Sequence, residues 1–501
     1  MNQIINHLPV LVILCPLSTA LLCPLLGHFS KDISKRVIIL GLFLSMVCAA
    51  LQLVQIVKTG EVIHYFIGEW APPIGIEFVI DGLNGIIILL VATISFMTAL
   101  FSSPFELLER HNQVRSVGYY VILTFLAIGL LGMASTGDAF NLYVFMEITA
   151  IAGYGLIAIG EEKGPIAAFR YLMTGTIGAS MYLIGVGFLY ASTGTLNMAD
   201  LANRLEPIGT TPLVIMAISC LIIGFGIKMA LFPLHNWQPA AHSYAHPAAD
   251  PMIAGIMIKI PAYAMLRFLF CIFDESSPLM GAFFDVIGVM AILGVVYGSL
   301  KALRYDTYNK ILAYSSIGQV GYIAMGFAIG NFYGIIGAVL HIVSHAFMKV
   351  GLFYTSAALK YKYNIHNISE LGQVYKKMPI TALTIVTCAL SMVGLPPFAG
   401  FFSKWYLAFG AIQEGKYIFV AVLVLSSLLG AIYFFRIFEN LFMNDEDAVE
   451  TDNPHPKRLE VPWQIILPML LVITAVIGLG LGNSFIVNNI LKNTVLEVFL
   501  I

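Results

Sequence analysis

The stretch FYGIIGAVLHIVSHAFMKVGLFYTSAA, residues 332–358, is apolar over a bilayer's width yet carries His341, His345 and Lys349 at intervals of four. About twenty apolar residues make one crossing, so the segment reads as a membrane helix. Residues four apart share one helix face, which turns the three titratable groups into a stripe with Ser344 at its edge. A charge at the bilayer centre costs roughly 2.5–3.5 kcal/mol on insertion scales, so the stripe must face protein or water. One helix cannot supply that cover, and the stretch predicts a bundle around a polar interior.

Four further ionisable residues lie inside apolar runs of the same kind: Glu147, Lys228, Lys259 and Lys404. Buried charges in spans mark ion paths and proton relays, which makes charge movement across a membrane the first functional hypothesis.

Composition agrees. Of 501 residues 59% are hydrophobic and 11% charged, where a soluble domain carries about 25% charged residues. Mean hydropathy is +0.88. A net charge of −2 and the lack of a basic patch interleaved with aromatics argue against nucleic-acid binding. The six cysteines show no CxxC or metal-ligand spacing and read as small core hydrophobes rather than disulfides or ligands.

The fold class predicted is an all-α polytopic membrane protein of about fourteen transmembrane helices. The first, near 4–26, lacks a basic leader and reads as a span rather than a signal peptide. Alternate loops collect cations, among them Lys35, Arg36, Arg110, Arg115, Lys163, Lys301, Arg304, Lys376, Lys377, Lys457 and Arg458. The others carry Glu61, Glu69, Glu77, Asp200, Glu206, Asp274 and Glu275. By the positive-inside rule the first set is cytoplasmic and both termini lie outside a cell membrane. Residues 58–81 read as an external turn or short hairpin, and 444–461 as a solvated cytoplasmic loop.

Proline interrupts two spans, at Pro233 and at Pro396-Pro397. It donates nothing to the helical ladder and clashes with the preceding turn, so each span should unwind there. Lys228 precedes one break and Lys404 follows the other. The breaks fall five spans apart, as in two copies of a five-helix unit; an odd span number inverts the copies, and paired broken helices point to the site between them. The resulting division is N-terminal helices 1–115, a first inverted repeat 116–275, a second 276–443, and a loop with a final helix 444–501.

Glu147 stands nine residues past Asp138, a helix N-cap by type, about 13 Å into the membrane. A nearby lysine would keep its carboxylate charged and share a proton with it; a static structural pair is the other reading. Histidine suits a relay because it titrates near neutrality. Metal binding by the HxxxH pair competes, although Lys349 would repel a cation. Lys259 is too deep to snorkel and joins the same central path. His235, His242, His246 and Asp250 gather between the seventh and eighth spans as either a cytoplasmic proton intake or a solvated loop. Arg170, Arg267 and Arg436 sit near span ends, where snorkelling accounts for them.

Six segments resemble the antiporter-like proton-channel family: the large membrane subunits of respiratory complex I and membrane-bound hydrogenases, and the A-type and D-type subunits of the Mrp sodium/proton antiporter. They are GDAFNLYVFME (137–147), KMALFPLHNW (228–237), Lys259 with Ala262, Tyr263 and Arg267, YSSIGQVGY (314–322), HIVSHAFMK (341–349) and GLPPFAGFFSK (394–404). The resemblance implies that Glu147 and Lys228 form the pair of a first half-channel and that Lys259 connects it onward. It also implies that His341 and His345 continue the axis with Lys349 near it, and that Lys404 holds the end of the second half-channel. TLNMADL (195–201) is similar to the D-type Mrp subunits, whereas WQPAAHSYA (237–245) is nearer complex I and hydrogenase subunits, departing from both at Gln238, Ala240 and His246.

The implied function is proton translocation within a multisubunit ion-pumping complex, with an M- or N-type complex I subunit as the alternative to a D-type Mrp antiporter subunit. Partners implied are other membrane subunits, H+ and, left open, Na+. No cofactor is expected on this chain. A stand-alone solute transporter and a haem- or quinone-holding subunit are the competing classes; facing histidine pairs that would bracket a haem are not evident.

Overall fold

Spans of this kind are helical because the bilayer core offers no partner to a free backbone group. The computed structural model describes residues 6–105, 113–160, 163–273, 277–443 and 460–498. Arg110, Asp274, Glu275, Lys457, Arg458 and the loop at 444–459 lie outside the described residues.

The chain opens with α1 (Leu8–Phe29) and α2 (Lys31–Thr59), then an antiparallel hairpin of β1 (Ile63–Phe66) and β2 (Glu77–Ile80). The hairpin is the one expected within 58–81. There follow α3 (Gly82–Phe101), α4 (Gln113–Ser135), α5 (Ala139–Ala158), α6 (Gly164–Thr193) and the short α7 (Met198–Ile208). The first broken span comprises α8 (Pro212–Lys228) and α9 (Gln238–Tyr244). Next are α10 (Asp250–Cys271), α11 (Pro278–Leu303), α12 (Tyr308–Ile329) and α13 (Phe332–Tyr363). The second broken span is α14 (Pro379–Val393) with α15 (Ala399–Gln413). Then come α16 (Tyr417–Phe442), α17 (Trp463–Leu481) and a final helical segment at 483–498.

Among the described residues twelve helices are long and apolar enough to cross a membrane, and the shorter apolar α8 and α14 are the first pieces of the interrupted spans, in line with about fourteen crossings. The protein is a multi-pass membrane protein. The most apolar helices are not the most buried: α13 is covered throughout and α10 and α12 nearly so, whereas α1, α2 and α16 leave most of their apolar surface exposed. α10 and α13, which carry Lys259, His341, His345 and Lys349, thus lie with α12 at the centre of the bundle.

Close approach at that centre depends on small residues. A Cβ on Gly255 of α10 would lie 2.2 Å from Val350 Cγ2 on α13, so glycine is what lets these two helices touch. Capping residues set the entering turns: Asp138 accepts from Asn141 N at 2.7 Å to start α5, and Asn331 accepts from Gly334 N at 2.9 Å to start α13.

Two arginines read as snorkelling are instead bound. Arg267 pairs with Asp81 and donates to Tyr263 Oη at 2.7 Å, tying α10 to the start of α3. Arg436 donates to Leu303 O at 2.7 Å and pairs with Asp306. A guanidinium that reaches a carboxylate needs no route to the membrane surface. Arg170 is exposed, as snorkelling requires. None of the six cysteines forms a disulfide.

Candidate functional site: a buried polar axis between two helix breaks

At the first break α8 stops at Lys228, Ala230 turns into the left-handed region at φ 59°, and Phe232–Pro233 is a cis bond. The break leaves carbonyls without helical donors. Ile227 O, bonded by Ala230 N at 3.2 Å, also accepts from Trp237 Nε1 at 2.9 Å, and the indole stacks on Tyr171 at 3.9 Å between centroids. Lys228 is buried, and its Nζ has no hydrogen-bond partner.

Glu147 on α5 is half-buried, and its Oε1 likewise has no partner. It is the charged group whose field acts on Lys228. The two therefore interact through space, not as the contact pair that a static salt bridge would make.

The second break mirrors the first with its parts reassigned. Gly394 ends α14 at φ 93°, and Pro396–Pro397 is a cis bond. Here the lysine itself caps the free carbonyls: Lys404 Nζ donates to Met392 O and Val393 O, each at 2.9 Å, and to Ser427 Oγ at 3.0 Å.

Between the breaks runs the stripe expected on α13. The rings of His341 and His345 stack at 5.6 Å and 15°, both fully buried. His341 Nδ1 shares a 2.9 Å hydrogen bond with Ser403 Oγ, the residue before Lys404. Neither nitrogen of His345 has a hydrogen-bond partner. Lys259, fully buried on α10, donates to Ala254 O within a π-helical turn at Ile253–Met257, and its field reaches both histidines. Lys349 turns toward α12, donating to Leu312 O at 2.6 Å and Ser315 Oγ at 2.5 Å. The seven residues thus fall into a buried centre of Lys259, His345 and His341, two lysines at the breaks, a flanking Lys349 and a peripheral Glu147.

The expected cluster between the seventh and eighth spans divides. His242 Nδ1 and Asp250 Oδ1 form a 2.9 Å pair with His242 fully buried, and the fields of Lys259 and Lys349 act on His242. His246 Nδ1 accepts from Ala248 N at 3.2 Å, and its ring meets Phe105 and Tyr119. His235 lies between Phe232 and Tyr297. All four residues are buried, which overturns the solvated-loop reading: apolar rings, not water, cover this segment. Among the described residues there is no cluster of three or more His, Cys, Asp or Glu able to hold a metal ion.

Trp237, Ser403 and Ser427 escaped the sequence reading as site residues, as did Tyr322, whose ring centroid is 5.2 Å from Lys404 Nζ. Serines inside apolar spans are the signal they offered, and it is a weak one because most bond back to their own helix. Ser95, bonded to Val91 O at 2.7 Å, is such a case.

Residues 136–430, which contain both breaks and the whole axis, match the family described as NADH:quinone oxidoreductase/Mrp antiporter, transmembrane. The chain belongs to this family.

Among its relatives, NADH-quinone oxidoreductase subunit N of Desulforudis audaxviator is 41% identical over 97% of this chain and 98% of its own length. A Staphylococcus aureus chain named as antiporter subunit mnhD2 is 30% identical over 94% and 93%. Of solved structures, a chain of the archaeal membrane-bound sulfane sulfur reductase aligns with a TM-score of 0.89 at 31% identity, covering 98% of both chains. One from the Mrp complex of Dietzia sp. DQ12-45-1b aligns at 0.85 with 23% identity, covering 99% of both, and so shares the fold. The family's antiporter-like, multisubunit setting agrees with the expectation drawn from the six segments.

Proposed function

We propose that this chain is the proton-conducting membrane subunit of a multisubunit ion-translocating complex in a cell membrane. The observation that carries it is the cluster of fully buried Lys259, His345 and His341, set between two interrupted helices that each hold a lysine. Protons pass from the His242–Asp250 side through Lys228, Lys259 and the histidines to Lys404, with His235 and His246 flanking the intake and Lys349 flanking the axis. Glu147 acts as the gate: its charge draws a proton onto Lys228, and neutralising it lets that proton go.

The broken helices sit in two inverted repeats, 116–275 and 276–443, with both termini and the hairpin outside. Inversion gives one half access to the cytoplasmic side and the other to the outside, which alternating passage requires.

Which complex the chain serves has two readings. TLNMADL favours an Mrp-type antiporter, with Na+ as the exchanged ion. The higher identity to the N-type subunit, 41% against 30%, favours a redox-driven complex. The chains that co-purify with it decide between them.

The test of conduction is Lys228→Ala and Lys404→Ala in the complex reconstituted into vesicles. Formation of a pH gradient is expected to collapse in both while the subunits stay assembled. Undiminished pumping in both variants ends the proposal.

A further inference from the structure

Tyr322 belongs to YSSIGQVGY, a segment that marks the family but has no place in the proposed proton path. It is 1% exposed on α12, between the central histidines and the second break. Its ring centroid lies 5.2 Å from Lys404 Nζ, and its ring meets that of His341 at 5.3 Å and 85°. Its hydroxyl is held by Ser426 Oγ at 2.5 Å, and the next residue, Ser427, accepts from Lys404. One side chain therefore touches the last histidine of the axis, the terminal lysine and the helix that carries the lysine's hydroxyl ligand.

The face of an aromatic ring carries negative potential, which attracts an ammonium but not a neutral amine. That attraction strengthens where water is excluded, as it is here. The Met392 and Val393 carbonyls and Ser427 take all three N–H of an ammonium, where a neutral amine has only two, and the ring adds to that preference for the charged form.

We propose that Tyr322 is the positioning residue of the terminal lysine: its ring holds Lys404 in the charged form against the second break, next to His341, and so sets how readily the path fills at its end. The inference rests on the conduction reading. The titratable groups around the pair among the described residues are His341 and His345 on α13 and Tyr433 on α16, whose fields reach Lys404 or Tyr322. None of these is a carboxylate that could replace the ring as a counter-charge.

Ring potential can be varied at constant shape. Tyr322→Phe removes the hydroxyl and keeps the ring; mono- to trifluorinated phenylalanine at the same position then weakens the ring's negative face stepwise. In the complex in vesicles, the proton concentration for half-maximal transport should rise with each fluorine, by roughly three- to tenfold over the series. The maximal rate at saturating protons should hold. Tyr322→Leu, which loses the ring, should lie at or beyond the trifluorinated end.

A flat series, or one that changes only the maximal rate, means that Tyr322 merely fills space, and the inference fails alone. If Lys228→Ala and Lys404→Ala both transport as well as the parent, the conduction reading fails and the inference with it; if Lys404→Ala alone does, the inference fails alone. If Lys404→Ala is inactive and the series is graded, both stand.

Discussion

The two helix breaks solve one problem in opposite ways. Each exposes backbone carbonyls within the membrane, and each has a lysine at hand. At the first, Trp237 takes the carbonyl of Ile227 and leaves the ammonium of Lys228 without a partner. At the second, Lys404 takes both free carbonyls and a serine hydroxyl. A lysine with no bonds to give up is free to answer a neighbouring charge such as Glu147, whereas a lysine with three must break bonds to move. The first break is built to respond, the second to hold.

The largest test of that contrast is thermal. Lys404→Ala should strip two carbonyls of their donor, at roughly 1–3 kcal/mol for each buried group left unsatisfied, and lower the melting temperature of the purified complex. Lys228→Ala removes an ammonium that satisfies nothing and should leave melting unchanged or slightly raised. Equal losses would erase the distinction between the breaks.

A smaller effect comes from Ser427→Ala. It removes one of three acceptors from Lys404, worth about 1 kcal/mol or roughly a fivefold change in transport rate. An effect as large as that of Lys404→Ala would mean that the serine, not the carbonyls, holds the lysine.

The smallest is Trp237→Phe, which keeps an aromatic against Tyr171 but removes one of the donors to Ile227 O. Ala230 N still bonds that carbonyl, so the stability cost should be about 1 kcal/mol or less, with transport little changed. In a Lys228→Ala background the same substitution should cost the same stability, because Lys228 Nζ bonds nothing and Ala230 N still serves the carbonyl; a double-mutant cycle by melting checks for additivity.

The two breaks were equally legible as prolines in apolar runs, and so was the stripe of His341, His345 and Lys349, because periodicity and composition are local properties. Their difference was not legible. It depends on Trp237 folding back ten residues onto Ile227, and on Lys404 reaching back twelve to Met392. Both are set by the path the chain takes through the break. Arg267 failed for a related reason: its partner Asp81 lies 186 residues away, beyond any spacing argument. Glu147 and Lys228 read as a pair, and Glu147 is the charge that acts on Lys228. That it does so through space, without a hydrogen bond, was not legible, since sequence offers residue types and not the distance between helices.

The π-helical turn at Ile253–Met257 is a shift of reading frame within a helix. Asp250 and Lys259 are nine residues apart, which in an unbroken α-helix would turn them about 180° from each other. One inserted residue takes back roughly 100° of that rotation and brings the two toward a common side. α10 can thus offer a carboxylate to His242 and an ammonium to the central axis within one bundle interior. Deleting a single residue from that turn would restore a more regular helix and point the two ends at different neighbours.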